Sequence, residues 1–148
     1  MKYSTEITIA LPVEKVVELF DNPENLKYWQ PGLESFEHLS GTPGHAGAKS
    51  RLRYKMGKRT VEMIETITKR DLPDIFSGTY EAQGVLNISV NRFVPLSDNS
   101  TKYISEQEFR FKGMMKLMAM LMPGMFKKQS LKYLQDFKTF AENEAAKS

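Results

Sequence analysis

The chain has 148 residues, the size of one domain spanning 1–148, long enough to bury roughly 70% of its unfolded surface without a disulfide or structural metal. Cysteine is absent, which excludes thiolate catalysis, iron–sulfur ligation and disulfide scaffolds. The net charge of +3 comes from 21 basic and 18 acidic residues that are interspersed rather than clustered, so no nucleic-acid partner is expected.

The opening residues Met1 to Glu6 lack the apolar run of a signal peptide, and a cytoplasmic location is expected. Thr5, Ile7 and Ile9 alternate with Glu6 and Thr8, so residues 3–10 read as a strand. Pro12 suits the first turn of a helix, where a missing N–H costs nothing, and Val13, Val16, Val17 and Phe20 give that helix an apolar face. Asn22-Pro23-Glu24 repeats the start signal and predicts a second short helix running to Tyr28 or Trp29.

A weaker strand is expected over 33–40, and the glycine-rich stretch 41–47 is a turn. Gly47-Ala48-Lys49-Ser50 is not a phosphate loop, because Ala48 stands where a Walker motif needs glycine and the next residues alternate like a strand. In that strand Ser50, Leu52, Tyr54 and Met56 oppose Lys49, Arg51, Arg53 and Lys55, a basic row that reads as a solvated outer face. Gly57-Lys58 predicts a tight hairpin into a strand over 60–69.

Asp71-Leu72-Pro73-Asp74 is the next break. Strands are expected over 75–82 and 85–94, with a polar turn over 95–100. Thr101, Tyr103, Ser105, Gln107, Phe109 and Phe111 then share one parity of a further strand. In the strand over 85–94 the parity stays open, because Leu86, Ile88 and Val90 compete with Val85, Asn87, Asn91 and Phe93 for the inner face. After Gly113 the periodicity is helical to the end, with Phe126, Tyr133, Leu134, Phe137 and Ala141 on one stripe. Pro123-Gly124 predicts a break, since an internal proline costs a helix about 3 kcal/mol.

Closely spaced strands pair as antiparallel neighbours, and the terminal helix must cover their apolar face. The expected class is therefore α+β: a curved antiparallel sheet of about seven strands wrapped around a long C-terminal helix, with two short helices after the first strand. Three stretches carry a resemblance. They are Ile9-Ala10-Leu11-Pro12-Val13-Glu14-Lys15-Val16, then Asn22 through Trp29, then Asn87, Asn91, Phe93 and Pro95 with Thr101 and Glu108-Phe109. In these the chain resembles the SRPBCC superfamily of helix-grip proteins. It includes START lipid-transfer domains, plant pathogenesis-related ligand carriers and bacterial polyketide cyclase/dehydrase-like proteins. The resemblance implies a hydrophobic ligand held between sheet and long helix. No cofactor is expected.

Glu65 shares parity with Val61, Met63 and Ile67, so a regular strand points it inward. A buried carboxylate is driven toward its neutral form and can serve as an acid or as a polar anchor. A bulge, a satisfying tyrosine or basic residue, or reversed parity would remove that role. Ser105 and Gln107, with Tyr54 and Tyr80, are either the other convergent polar groups of a candidate pocket or groups that bond one another or buried water. His38 and His45 are the only histidines and lack ligand spacing, so no metal site is expected.

Five of the nine methionines fall between Met114 and Met122. This segment, 114–126, is too short to span a bilayer, which takes about twenty residues. It reads as a pocket lid, packed core, an interfacial membrane patch or a contact for self-association.

The preferred reading is a carrier of a lipid-like or polycyclic aromatic molecule. Its cavity would be lined from the sheet by Tyr54, Met56, Met63, Phe76, Tyr80 and Phe109. From the helical side the lining would be Met118, Leu121, Met122, Met125, Phe126 and Tyr133. Glu65, Tyr103 and Gln107 would orient the ligand. The alternative is a cyclase, dehydrase or hydrolase using Glu65 as acid and base.

Overall fold

A computed structural model describes residues 1–147. Seven strands form one antiparallel sheet: β1 (Lys2–Ile9), β2 (Leu33–Ser40), β3 (Lys49–Met56), β4 (Arg59–Asp71), β5 (Ile75–Ala82), β6 (Val85–Ser97) and β7 (Ser100–Phe111). Their spatial order is β1-β7-β6-β5-β4-β3-β2, so five successive hairpins run from β2 to β7 and the first strand closes onto the last. The helices are α1 (Val13–Asp21), a single 3-10 turn (Pro23–Asn25) continuing into α2 (Leu26–Trp29), α3 (Met114–Leu121) and α4 (Gly124–Ala146).

The first connection carries the chain from one sheet edge to the other, and its two helices begin where the prolines allow. Pro12 precedes α1 in an extended conformation. The Asn22 side chain accepts a hydrogen bond from the Glu24 backbone N–H at 3.1 Å, fixing the second start. The chain then breaks at Met122-Pro123, as the internal proline requires, and α4 runs unbroken for 23 residues.

Packing is densest at one end of the sheet. Leu134, Phe137 and Ala141 recur at helical spacing on α4 and are buried against Ile9, Val16, Leu19, Trp29, Phe93 and Tyr103. Phe20 is the hub. Its ring lies 4.9 Å from Phe93, 5.8 Å from each of Phe76, Tyr103 and Phe137, and 6.1 Å from Trp29. Edge-to-face pairs of this kind add about 0.5–1.5 kcal/mol each beyond burial.

Two expectations are corrected here. The polar turn expected over 95–100 is much shorter. β6 continues through Pro95 to Ser97, and only Asp98 and Asn99 turn. β5 pairs with β6 no further than Asn91, and the Phe93 N–H instead reaches the Pro73 carbonyl at 3.0 Å. Pro95 shares that amide direction, so its missing N–H deprives no neighbouring strand.

The methionine segment, for its part, is not packed core. Of α3 only Ala119 is buried, and Met114, Met120 and Leu121 are more than 70% exposed.

β2 is the outermost strand. It is exposed along almost its whole length, and register shifts interrupt its pairing with β3 at both ends. The basic row of β3 faces outward and is threaded by acids: Arg51 reaches Glu37 at 3.1 Å, and Arg53 reaches Glu62 at 3.1 Å.

Candidate functional site

Cross-strand partners share a face, so the register defines the inner wall. Glu65 lies opposite Ser50 on one side and Tyr80 on the other. Tyr80 lies opposite Asn87, and Asn87 opposite Phe109. Phe76 lies opposite Asn91, which lies opposite Ser105. α4 packs most closely along β1 and lies farther from the wall built by β3 to β6, which it approaches where Tyr133 comes near Tyr54. Met63, Glu65, Phe76, Tyr80, Asn87, Gln107 and Phe109 accordingly remain half-buried there. The space this wall faces, the hollow, ends on the Phe20 cluster through Phe76; the grooves beside Lys27 and Phe140 and beside Val13 and Pro73 both lie outside it.

The register also decides the parity left open in β6. Val85, Asn87, Ser89, Asn91 and Phe93 face inward, while Leu86, Ile88 and Val90 lie on the convex face. The strand is inside out: its polar residues face the hollow. They are joined in one network. The Asn87 amide donates to Gln107 Oε1 at 2.9 Å. Gln107 Nε2 donates to Ser89 at 2.9 Å and to Ser105 at 2.7 Å. Asn91 donates to the Phe76 carbonyl at 3.3 Å and accepts from the Tyr103 hydroxyl at 2.7 Å. Burial pushes the Tyr103 pKa well above its ordinary value, so this hydroxyl remains a donor.

Farther along the same wall, on β4 and β5, stands a second polar group. Burial raises the Glu65 pKa, and a hydrogen-bonding interaction with Tyr80 partly offsets that. Tyr80 is itself raised, first by burial and then by the Glu65 charge. Tyr54 is raised by burial, then by Tyr133 and Glu65, and its hydroxyl donates to Gln30 Oε1 at 2.6 Å. The Tyr133 hydroxyl on α4 is also raised by burial. A carboxyl group and three tyrosines thus share a poorly solvated region while several of them keep accessible surface. Side chains that line a recess rather than a filled core have this combination.

At the far end the aromatic rings of Phe109 and Phe111 each lie 5.1 Å from Phe126, and Tyr3 stacks on Phe109 at 6.0 Å. The Tyr3 hydroxyl donates to the Phe126 carbonyl at 2.9 Å. Its single proton being used, it accepts from Ser130 at 2.6 Å. Tyr3 thereby ties β1 to the first turn of α4.

The structure does not gather every candidate. Tyr54, Met63, Glu65, Phe76, Tyr80, Tyr103, Gln107, Phe109, Phe126 and Tyr133 are at least half-buried around the hollow, whereas Met56 ends its strand 48% exposed. Met118, Leu121, Met122 and Met125 are 46–73% exposed. Sequence reasoning missed Gln30, Asn87 and Tyr3. Gln30 follows the last turn of α2 and carries no periodic signal; Tyr3 shares the parity of Thr5 and Ile7 and was legible. A separate shallow groove of about 590 Å³ lies outside the hollow, between Lys27, Tyr28 and the outer side of α4.

Residues 1–142 match the family model described as "Polyketide cyclase / dehydrase and lipid transport". Comparison with curated proteins finds no sequence match. Among solved structures, a conserved protein from Geobacillus kaustophilus superposes with a TM-score of 0.82 at 17% identity, over 97% of this chain and 96% of that one. The Zhui aromatase/cyclase from Streptomyces sp. R1128 gives 0.79 at 14% identity, over 98% and 95%. Norcoclaurine synthase from Thalictrum flavum, in complex with dopamine and hydroxybenzaldehyde, gives 0.74 at 17% identity, over 97% and 87%. At these identities the likeness establishes the helix-grip fold alone.

Proposed function

Because the chain belongs to the polyketide cyclase/dehydrase and lipid-transport family, we propose that it binds a hydrophobic small molecule, lipid-like or polycyclic aromatic, between the sheet and α4. The observation that carries this reading is the reversed polarity of β6. A strand that serves only a core would turn Leu86, Ile88 and Val90 inward; here Asn87, Ser89 and Asn91 face the interior instead. Buried amides cost stability unless they are satisfied, and a row of them on a concave apolar wall is useful for orienting a ligand. The structural neighbours point the same way, since they include an aromatase/cyclase and a synthase held with dopamine and hydroxybenzaldehyde.

The ligand's apolar body would lie on Phe76, Phe109 and the Phe20 cluster, with polar groups near Gln107 at one side and near Glu65 and Tyr80 at the other. Each buried large apolar group supplies about 1.5–3 kcal/mol, so a few suffice for micromolar affinity after association costs. Titration with 2,6-naphthalenediol and naphthalene tests this. The diol is expected to bind saturably and more tightly than naphthalene, and Gln107→Leu to remove that preference. No saturable binding of either compound, together with no hydrophobic molecule in native mass spectra of the purified protein, would overturn it.

One observation favours a second reading, a cyclase- or dehydrase-like enzyme. Glu65 is desolvated and faces a tyrosine hydroxyl, the arrangement of a proton donor that returns to its acid form after each transfer. Glu65→Gln would then keep ligand binding while abolishing turnover. A Glu65 pKa equal to that of free glutamate removes the basis of this reading.

A further inference from the structure

The methionine segment has properties that binding in the hollow does not use. Met114, Leu117, Met118, Met120, Leu121 and Met122 are between 48% and 74% exposed, all within nine residues. Isolated exposed apolar side chains are ordinary, but a contiguous set of this size marks a contact surface. The segment is also a distinct unit. Gly113 adopts φ 62 and ψ −136, a conformation that favours glycine, and Pro123 ends the other side. Between them α3 rests on the turn of the β5–β6 hairpin, where Met115 covers Gly84 so closely that an added methyl would lie 3.2 Å from its Cγ.

Charge identifies the occupant. Residues 109–135 contain six basic and no acidic side chains, so the remaining chain holds 15 basic against 18 acidic. Arg110 pairs with Glu108 and Lys132 with Asp136, each at 2.7 Å. Lys112, Lys116, Lys127 and Lys128 are exposed, and no carboxylate pairs with them among the described residues. A second copy of this chain would bring two such unpaired lysine sets together. A surface of opposite charge with an apolar layer beneath it matches both features. The described residues include no helix long and apolar enough to cross a membrane, so such contact is at the interface.

We propose that α3 and the start of α4 form a docking tip for an anionic lipid bilayer. The apolar side chains enter the boundary between head groups and acyl chains, and the four lysines lie at the level of the lipid charges. Docking does not depend on what the hollow holds, so ligand-free vesicles test it apart from the proposed function.

The full chain is sedimented with vesicles of phosphatidylcholine alone and of phosphatidylcholine with phosphatidylglycerol. Binding is expected only to the second and is weakened by salt. Met120→Asp with Leu121→Asp changes two of the most exposed residues, leaves thermal stability unchanged, and lowers partitioning by at least about tenfold. Lys127→Gln with Lys128→Gln lowers it roughly thirty-fold, at about one kcal/mol per lysine near an anionic surface. Equal binding to both vesicle types, absence of binding, indifference to either pair of changes, or a dimer that Met120→Asp with Leu121→Asp dissociates would each overturn the proposal.

Discussion

At the scale of single residues, Glu65 is the informative one. Its neighbours on the sheet face are Ser50 and Tyr80, with Tyr54 near enough to feel its charge. Burial raises its pKa in the folded protein, so the folded state holds the proton more tightly than the unfolded chain. Its contribution favours folding fully below the unfolded pKa and is lost as pH rises through the folded one. Glu65→Gln is therefore expected to raise the melting temperature at pH 8, with the gain vanishing near pH 4. Tyr80→Phe deletes the hydroxyl that lowers this pKa and should move the Glu65 titration, followed by carboxyl-resolved NMR, further upward. A melting temperature unchanged by Glu65→Gln at pH 8 would contradict the burial argument.

The inward direction of Glu65 was legible because Val61, Met63 and Ile67 share its parity. Its partner was not. Tyr80 meets Glu65 through the register of β4 with β5, which depends on where the turn at 72–74 ends, and a single sequence does not carry that information.

At the scale of elements, β6 shows why alternation alone can fail. Leu86, Ile88 and Val90 outweigh Asn87, Ser89 and Asn91 on any hydrophobicity count, yet pairing with β7 places the polar set inside. The pattern of β7 held the answer, since Tyr103, Ser105, Gln107 and Phe109 are unambiguous and their partners must share their face. The network across these two strands makes a quantitative test. Asn91→Leu leaves the buried Tyr103 hydroxyl without its acceptor and is expected to cost about 1–3 kcal/mol in chemical denaturation. Tyr103→Phe in the same chain should recover part of that loss. Independent, additive effects would show that the two side chains do not act together.

The helices were easier, for a physical reason. Pro12, Asn22-Pro23 and Pro123-Gly124 act through covalent geometry and local hydrogen bonds, so they mark boundaries without knowledge of the fold. What they do not specify is burial. The methionine run is as apolar as a core segment, and only the tertiary arrangement leaves most of it in solvent.

At the scale of the whole molecule, the two ends of the sheet divide the work. One end is filled by the Phe20 cluster and the buried stripe of α4, which the polar network joins at Tyr103; the other holds the half-buried wall of the hollow around Phe109. Stability should follow that division. Phe137→Ala removes a ring with no accessible surface and is expected to cost about 3–5 kcal/mol. Phe109→Ala, at the half-buried end, should cost clearly less in the same denaturation experiment. Equal losses would mean that the wall is as tightly packed as the core.

One further consequence lies at the rim. A sheet that does not close on itself leaves β2 with a free row of backbone donors and acceptors. The irregular pairing at both of its ends and the charges of Glu34 and Glu37 make that border a poor template for another chain's strand. Concentrated solutions should therefore resist fibril growth from this side. Substituting Glu37 with valine would expose a smoother ribbon, and thioflavin fluorescence over time would register the difference.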